Sequence, residues 1–158
     1  MADLTREQVI YLIAMNSGRG VVLRGVNLSS VDLRGLSLAD ANLALAQLQQ
    51  ANLSLADLTK ANLQGASLDY ADLSETNLQG ANLRGASLVG ADLRAVDLSD
   101  ADLRDADLRS ANLRGAVLHR ANLWHAKFKE ANLIYANLDG VKGLPVEVYE
   151  EIHKSSEG

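Results

Sequence analysis

The fold of this chain is decided by a stretch that reads ANLQGASLDYADLSETNLQG at residues 61–80. Leu stands at every fifth position of this stretch, and Ala usually stands two residues before it. The same phase runs unbroken from Val21 to Gly140, and these 120 residues divide into 24 units with Phe128 as the one substitute for Leu. A repeat of this length determines the whole architecture, because each unit must pack in the same way as its neighbours.

A period of five fits neither an α-helix nor a straight strand. On a helix, five residues turn about 500°, so successive Leu would step round the axis by roughly 140°. In a straight strand, an odd period would send successive Leu to opposite faces. A short extended piece followed by a bend points Ala61 and Leu63 inward and leaves Asn62 and the bend residues 64–65 outward. The sequence therefore predicts stacked coils that bend every five residues and bury a continuous core.

The residue types agree with such a coil. The inward sites pair a large residue with a small one, so the two sizes can interleave at high packing density. The residue before Leu is Asn, Asp or Ser in 20 of the 24 units, and these side chains satisfy nearby backbone groups in turns. Gly ends eight units, which suits a corner. Residues 21–140 contain no Pro, as expected if backbone N–H groups bond between coils.

On this repeat, the chain resembles the pentapeptide-repeat proteins over residues 21–140. The resemblance implies an all-β fold, a right-handed quadrilateral parallel β-helix with four units to a coil. The 24 units then make six coils of 20 residues, and a strand spacing of about 4.8 Å gives a rod about 29 Å long.

Residues 1–20 are predicted to cap the first coil, because a coil stack has an open apolar end. Thr5 and Gln8 form a capping box ahead of an apolar run to Met15, which predicts a helix over about residues 6–16 that stops at 17–20. Its seat is a first coil with large residues at the small site, namely Val21, Val26, Val31 and Leu36. The apolar run is longer than one buried face needs, which leaves contact with another molecule open.

Residues 141–158 are predicted to form a second cap. Gly143 replaces the expected Leu and stops the repeat, and Pro145 suits the first turn of a helix. Val148, Tyr149 and Ile152 then form one apolar stripe. Tyr149 and Ile152 are also the candidates for an end-to-end contact, as in some members of the family, so the chain is expected to be a monomer or an end-to-end homodimer. The last four residues are expected to fray.

Composition excludes several classes of protein. A hydrophobic content of 47% with a net charge of −5 is not that of a disordered chain. The lack of Cys excludes a disulfide framework, a thiol nucleophile and a Cys-ligated metal. The chain shows no secretory signal pattern and no apolar run near the ~20 residues of a membrane span. A cytoplasmic protein without a membrane partner is therefore expected.

The sequence offers little that could support catalysis. Asp92, Asp97, Asp102 and Asp107 invite a metal-binding interpretation, but they occupy one repeat position and point to four different sides of the coil. His119 and His125 likewise belong to different sides. Leu and Ala fill the interior and leave no substrate pocket. The chain is therefore predicted to be a non-enzyme without a metal or cofactor.

The resemblance raises one alternative function, because quinolone-resistance members of the family are thought to resemble DNA and to occupy gyrase. The 14 acidic and 11 basic residues of the array leave a net charge of −3. A duplex of ~29 Å carries about 17 phosphate charges, so the imitation is poor. No side of the coil is clearly basic either, which argues against nucleic-acid binding.

The chemically distinct surface lies near the C-terminal end of the array. Trp124, the only Trp, occupies an outward position, and neighbouring units place His119, His125, Ile134 and Tyr135 outward. Trp and Tyr are enriched in binding hot spots. Leu45 and Leu55 form a second outward apolar group. The sequence therefore favours a non-enzymatic scaffold that binds an unidentified protein, with a DNA-mimicking inhibitor or protector of gyrase, a type II topoisomerase, as the alternative.

Overall fold

The computed structural model describes residues 2–16 and 20–154, with the backbone alone for 151–154. Within these residues, helix α1 (Arg6–Met15) and helix α2 (Val146–Lys154) enclose a stack of coils. The predicted helix stop at 17–19 and the predicted fraying of 155–158 lie outside the described residues. No helix in the described part of the chain is long and apolar enough to span a membrane.

Parallel bridges set the register of the coils. Each bridge joins residues 20 apart, from Val22 with Asn42 to Asn122 with Lys142. Each side of a coil contributes one bridged residue, the second of its unit. The predicted fold class is confirmed: the chain is a right-handed quadrilateral parallel β-helix with four units to a coil. Coil 1 is residues 21–40 and coil 6 is residues 121–140. The ladder continues to Lys142, two residues past the predicted end of the array.

Backbone hydrogen bonds run along the rod in a fixed pattern. The amide of Leu63 donates to the carbonyl of Asn82 at 2.8 Å, and the amide of Gly65 donates to that of Arg84 at 3.0 Å. In the opposite direction, the amide of Asn82 donates to the carbonyl of Ala61 at 2.9 Å. Three of the five amides in a unit are therefore satisfied by a neighbouring coil, which is the arrangement that Pro would interrupt.

The other two amides are satisfied within the turn. The amide of Ala66 donates to the carbonyl of Leu63 at 3.0 Å, and the amide of Gln64 donates to Oδ1 of Asn62 at 3.1 Å. The second bond explains why Asn or Asp precedes most Leu, since its side chain reaches a backbone group two residues on. The fifth residue of every unit, Gly or not, has a positive φ, as the third residue of a type II turn requires.

The inward positions form one continuous core. From Leu23 to Leu133 the central side chains are buried, and Leu83 in coil 4 has 0% of its surface exposed, whereas Leu138 at the end of coil 6 is only partly buried. Ala fills the smaller inward site and is also buried in the middle coils. Thr76 is the polar exception, and its Oγ1 donates to the carbonyl of Leu53 at 2.8 Å. The inward assignment made from the sequence is confirmed, and the outward bend positions are exposed or half-buried except at Ala44, Ser54 and Ser99, which are buried.

Helix α1 covers coil 1. Thr5 and Gln8 make the predicted capping box, and Val9 is fully buried in the core. Asp3 pairs with the free edge of the coil, because its amide donates to the carbonyl of Asn27 and its carboxylate accepts from the amide of Asn27. Arg6 donates to the carbonyls of residues 32 and 34 at 2.9 and 3.0 Å. The first coil thus receives both an apolar cover and partners for its edge.

Helix α2 covers the other end. It starts directly after Pro145, whose carbonyl accepts from the amides of Val148 and Tyr149. Val148 is buried against the core, whereas Tyr149 is 54% exposed. The side chain of Ile152, the other predicted contact residue, lies outside the described residues.

Candidate functional site

The outward side chains with potential for binding lie on four edges of the rod. The fourth and fifth residues of each unit form a corner, and corners 20 residues apart stack along the rod. Edge 1 contains the pairs 24–25, 44–45, 64–65, 84–85, 104–105 and 124–125. Edges 2, 3 and 4 begin at 29–30, 34–35 and 39–40. Because a coil has four sides, edges 1 and 3 lie diagonally opposite each other.

Trp124 and His125 occupy the last corner of edge 1. Trp124 is 55% exposed, and its ring centroid lies 6.2 Å from that of His125, with the ring planes at 47°. His125 takes the positive φ of the corner, 64°. Two aromatic side chains therefore project together from one edge, at the level where the coil stack meets its C-terminal cap.

The other three residues of the predicted partner surface lie on different edges. Ile134 and Tyr135 form the last corner of edge 3, where they are 50% and 78% exposed. The guanidinium of Arg114 lies 5.2 Å from the Tyr135 ring centroid, at cation–π distance. His119 lies on edge 4. The five residues thus lie on three edges in coils 5 and 6, with Trp124 and His125 on one corner and Ile134 and Tyr135 on the diagonally opposite one.

Gly143 has a role that the sequence did not reveal. A Cβ on Gly143 would lie 2.7 Å from Cα, Cγ and Cδ2 of Trp124. The Gly143 backbone therefore packs directly on the indole, and its own φ is +72°. The loss of Leu at this position does more than end the repeat, because it lets the chain pass close over Trp124 and hold its ring.

The four Asp residues that invited a metal-binding interpretation serve the turns. Asp92, Asp97, Asp102 and Asp107 each accept a hydrogen bond from the amide two residues on. They follow one another on the four sides of the coil, as the repeat predicts. Among the described residues, no group of three or more acidic or His side chains is placed to hold a metal ion.

Arginines neutralise several of these carboxylates. Nη2 of Arg104 lies 2.6 Å from Oδ2 of Asp102. Arg94 likewise pairs with Asp92 at 2.6 Å, and Nε of Arg109 lies 2.8 Å from Oδ1 of Asp107. The hydrogen bond from Arg104 is the main cause that lowers the pKa of Asp102, against the opposing effect of burial. On edge 4, Arg120 binds Asp100 with two nitrogens, at 2.8 and 2.7 Å, and lowers its pKa.

We expect Asp102→Asn to test this pair without disturbing the turn. Asn keeps the oxygen that accepts from the amide of Arg104, but it loses the ion pair. Because the pKa of Asp102 is lowered in the fold, the pair stabilises the fold above the unfolded pKa of about 3.9. This contribution disappears as the pH falls through the lowered value. The urea midpoint of the variant should be slightly below that of the parent at neutral pH, since half-exposed ion pairs contribute little.

The comparison at low pH separates the two roles of Asp102. As the pH falls from neutral through the lowered pKa of Asp102, the midpoints of parent and variant should converge, because the parent carboxyl becomes protonated. Asp102→Ala should remain less stable at both pH values, since it also leaves the amide of Arg104 without its acceptor. If the Asn variant is less stable than the parent by the same amount at both pH values, the ion pair is not the cause of its lower stability.

Edge 2 carries an exposed aromatic that the sequence reasoning missed. Tyr70 is 67% exposed and lies against Gly90 in the next coil, where an added Cβ would be 2.6 Å from its ring. Its signal was available, since Tyr70 is an aromatic at an outward position with Gly 20 residues later. It stands alone on its edge in the middle of the rod and therefore serves as a reference for the aromatic pair on edge 1.

Comparisons with known proteins agree with the geometry. The family model described as pentapeptide repeats matches this chain in 8 copies, at residues 19–54, 37–74, 56–94, 71–110 and 111–142. Among curated proteins, none matches this chain. A solved structure of a pentapeptide repeat protein from the cyanobacterium Cyanothece 51142 is 30% identical. That match covers 85% of this chain and 94% of that chain, with a TM-score of 0.48.

Two further solved structures are more distant in sequence. HetL, a pentapeptide repeat protein involved in heterocyst differentiation regulation in the cyanobacterium Nostoc sp. strain PCC 7120, is 21% identical. It covers 87% of this chain and 96% of its own, with a TM-score of 0.38. QnrB1, a plasmid-mediated fluoroquinolone resistance protein, is 17% identical and covers 85% of this chain and 84% of its own, with a TM-score of 0.39.

Proposed function

The chain belongs to the pentapeptide-repeat family, and we propose that it is a non-enzymatic scaffold that binds another protein through edge 1 around Trp124. The exposure of Trp124, 55% of its surface, carries the proposal. Outward positions elsewhere are mainly small, polar or charged, and a half-exposed Trp at one of them lowers solubility. Trp is the residue most typical of binding hot spots.

Gly143 supports this proposal because its backbone restricts the position of the Trp124 ring. A binding anchor costs less conformational entropy when its side chain is already held in place. The backbone of Gly143 packs against one part of the indole, while more than half of the side chain stays accessible. Trp124 is thus both available to a partner and restricted before the partner arrives.

The proposal of a non-enzyme rests on how the interior and the polar groups are used. Leu and Ala fill the space inside the coils. Among the described residues, every buried side-chain nitrogen or oxygen has a hydrogen-bond partner, so no buried polar side chain is left unpaired. The regular Asp positions are engaged in turns and ion pairs. The proposal includes no cofactor, metal or nucleic acid.

We expect Trp124→Ala to weaken capture of the partner while leaving the fold intact. The variant should lose at least about 2 kcal/mol of binding free energy, the threshold for a hot spot, which is roughly a thirtyfold weaker affinity. Its unfolding free energy should change by no more than about 1 kcal/mol, because the residue is half exposed. Quantitative capture from the native host, followed by titration with the purified partner, measures the first effect.

Tyr70→Ala provides the matched control. Tyr70 is an exposed aromatic at a corner of edge 2, so its removal alters the surface to a similar extent without touching edge 1. The partner should bind this variant as tightly as the parent. If the partner binds Trp124→Ala as tightly as the parent, the site lies elsewhere, and the side through Asp97 and Asp100 is the next candidate.

A DNA-mimicking role towards gyrase receives less support. A mimic needs a continuous negative surface, whereas Asp92, Asp100, Asp102 and Asp107 are each neutralised by an Arg partner. A supercoiling assay with added protein separates the two functions directly. Inhibition or protection of gyrase at stoichiometric protein would favour the mimic over the scaffold.

We also propose that any self-association uses the C-terminal end of the rod. The sides are polar and mixed in charge, whereas Tyr149 is 54% exposed on α2. If Tyr149 and Ile152 form a dimer seam, the double replacement Tyr149→Asp/Ile152→Asp should convert a dimer to a monomer in sedimentation experiments. If the two residues only cap the core, the replacement should instead lower the melting temperature of a monomer. A parent dimer that survives the change excludes this seam.

A further inference from the structure

A groove of about 560 Å³ runs along edge 1, on the same edge as Trp124 and nearer the N-terminal end. It extends over coils 1 to 5, from Arg24 to Asp105. Nothing in the proposed function uses this groove, but Trp124 and His125 occupy the next corner of the same edge beyond its Asp105 end. A partner bound at Trp124 that follows the rod would enter it.

The groove exists because the fifth residue of two adjacent corners is Gly and has no side chain. Gly65 and Gly85 leave the floor as bare backbone, and Leu45 and Asp105 rise on either side along the edge. The Leu45 side chain leans over Gly65, since a Cβ there would lie 2.9 Å from its Cδ2. Leu45 nevertheless remains 53% exposed. The N-terminal part of the groove therefore offers an apolar contact.

Two arginines give the groove a positive charge. Among the described residues, Arg24 has no ion-pair partner. Nε of Arg84 lies 3.4 Å from Oδ2 of Asp105, and both side chains are about half exposed. Arg104, in the next coil along, is by contrast held by Asp102 at 2.6 Å. Arg24 and Arg84 are thus the guanidinium groups of this edge that can bind a new carboxylate.

The charge of the surrounding surface restricts what can lie there. The first units of the six coils, which end at edge 1, together carry three Arg and two Asp and so have a net charge of +1, whereas the whole chain has −5. An acidic segment is therefore repelled by most of the protein and attracted to this edge. Such complementarity sets orientation and specificity more than affinity.

We propose that this groove binds an extended acidic segment of a partner protein, with two carboxylates four residues apart and an apolar side chain midway between them. Arg24 and Arg84 are three coils apart, which is about 14 Å at a spacing of about 4.8 Å. An extended chain rises about 3.4 Å per residue, so side chains at positions i and i+4 are also about 14 Å apart. Position i+2 points to the same side and falls where Leu45 leans over Gly65.

The inference rests on the proposed protein-binding function and specifies the chemistry of the partner. Each carboxylate can accept two hydrogen bonds from one guanidinium, which is the strong, directional form of this interaction. The carboxylate at Arg84 would replace the long contact with Asp105. From its N-terminal end, the groove presents a positive, an apolar and a positive contact. The partner segment matches them with an acidic, an apolar and an acidic side chain.

The test uses the full chain and the peptide Ser-Glu-Ser-Leu-Ser-Glu-Ser with blocked ends. In ¹H–¹⁵N spectra, the peptide should cause saturable shifts of the Gly65 and Gly85 amides and leave those of Gly35 and Gly115 on edge 3 unchanged. The same peptide with Gln for both Glu should bind roughly a hundredfold more weakly, since each of the two charge-assisted contacts accounts for about a factor of ten. The absence of saturable shifts at about 1 mM peptide would overturn the proposal.

Variants of the protein locate the contact. Arg24→Gln and Arg84→Gln should each weaken the peptide roughly tenfold, whereas Arg34→Gln on edge 3 should not. Gly85→Asn places a side chain in the groove and should block the peptide. Gly35→Asn is its matched control, because a Cβ meets nothing within 4 Å at either glycine and both have a positive φ, which Asn tolerates.

Several other outcomes have a definite meaning. Equal binding of the Glu and Gln peptides, or shifts on edge 3 of the same size, would refute the assignment of the groove. A thymidine oligonucleotide that shifts Gly65 and Gly85 as strongly as the peptide would assign the groove to a phosphate backbone instead. If the peptide fails while partner capture still depends on Trp124, the scaffold function stands and only this inference is lost.

Discussion

The replacement Leu83→Lys is expected to unfold the middle of the rod. Leu83 lies in coil 4 with 0% of its surface exposed, and Lys would place an ammonium group among Leu and Ala side chains with no carboxylate to pair with. The loss of a buried Leu alone costs about 2–5 kcal/mol, and burial of an unpaired charge adds to it. We expect a total of roughly 5 kcal/mol or more, comparable with the whole stability of a small domain.

The architecture increases the effect. In a solenoid each coil contacts only its neighbours, so stability is carried from coil to coil. A defect in coil 4 separates coils 1–3 from coils 5 and 6, and neither part keeps both of its covers. Urea unfolding followed by circular dichroism should therefore show a lost or divided transition.

Gln79→Lys is the control for this prediction. Gln79 is an exposed corner residue four positions earlier, and its backbone, rather than its side chain, makes the hydrogen bonds of the turn. The same Lys introduced there should change the unfolding free energy by no more than about 0.5 kcal/mol. Equal urea midpoints for the two Lys variants would contradict the division into inward and outward positions.

The repeat let the sequence predict the fold, because one geometric argument applies to every unit. Once Ala61 and Leu63 must both face inward, the other positions of the unit are determined. The end caps were predictable for a different reason, since the capping box of Thr5 and Gln8 is a local pattern. The edge contacts of Asp3 and Arg6 were not predictable. They depend on the position of α1 on coil 1, which cannot be inferred from any spacing in the sequence.

The partner surface illustrates the limit of sequence reasoning in a solenoid. Trp124 and Ile134 are ten residues apart, yet two units separate them and place them on opposite edges. Leu45 is 79 residues from Trp124 and lies on the same edge, because the difference is close to a multiple of 20. Residues lie close together on this surface when their numbers differ by a multiple of 20 or nearly so, whatever their distance along the chain. The groove and its floor at Gly65 and Gly85 become visible only in that frame.

Corner conformation was also only partly predictable. Gly at the end of a unit indicates a positive φ, but Tyr70, His125 and Tyr135 have the same backbone conformation, with φ of 57°, 64° and 62°. A residue with a Cβ is strained in this region, and the ladder of coil-to-coil hydrogen bonds holds it there. The sequence alone cannot show which corners accept this cost, because the compensation comes from neighbouring coils.

The replacement Gly20→Ala is expected to loosen the junction between α1 and coil 1. A Cβ on Gly20 would lie 1.8 Å from the carbonyl oxygen of Asp40 and 2.3 Å from its carbonyl carbon. Both atoms are backbone, so no side-chain rotation can relieve the contact. The chain entering coil 1 must shift, and with it the cover over the apolar end that includes the fully buried Val9. We expect a loss of roughly 3 kcal/mol, at the upper end of typical overpacking costs.

Gly25→Ala separates this collision from the general cost of replacing glycine. Gly25 has a φ of +70°, and an added Cβ meets nothing within 4 Å. The unfolding free energy of this variant should therefore fall by only roughly 1 kcal/mol, the cost of placing a residue with a Cβ in the left-handed region. Urea midpoints give the two losses, and hydrogen exchange at the amide of Val9 shows where the difference arises. Faster exchange at Val9 in Gly20→Ala alone would locate the damage at the cap, because Gly25 lies on edge 1 and leaves α1 seated. If both variants lose the same free energy, Gly20 does not pack on the Asp40 backbone as described, and the N-terminal cover is attached more loosely than its contacts indicate.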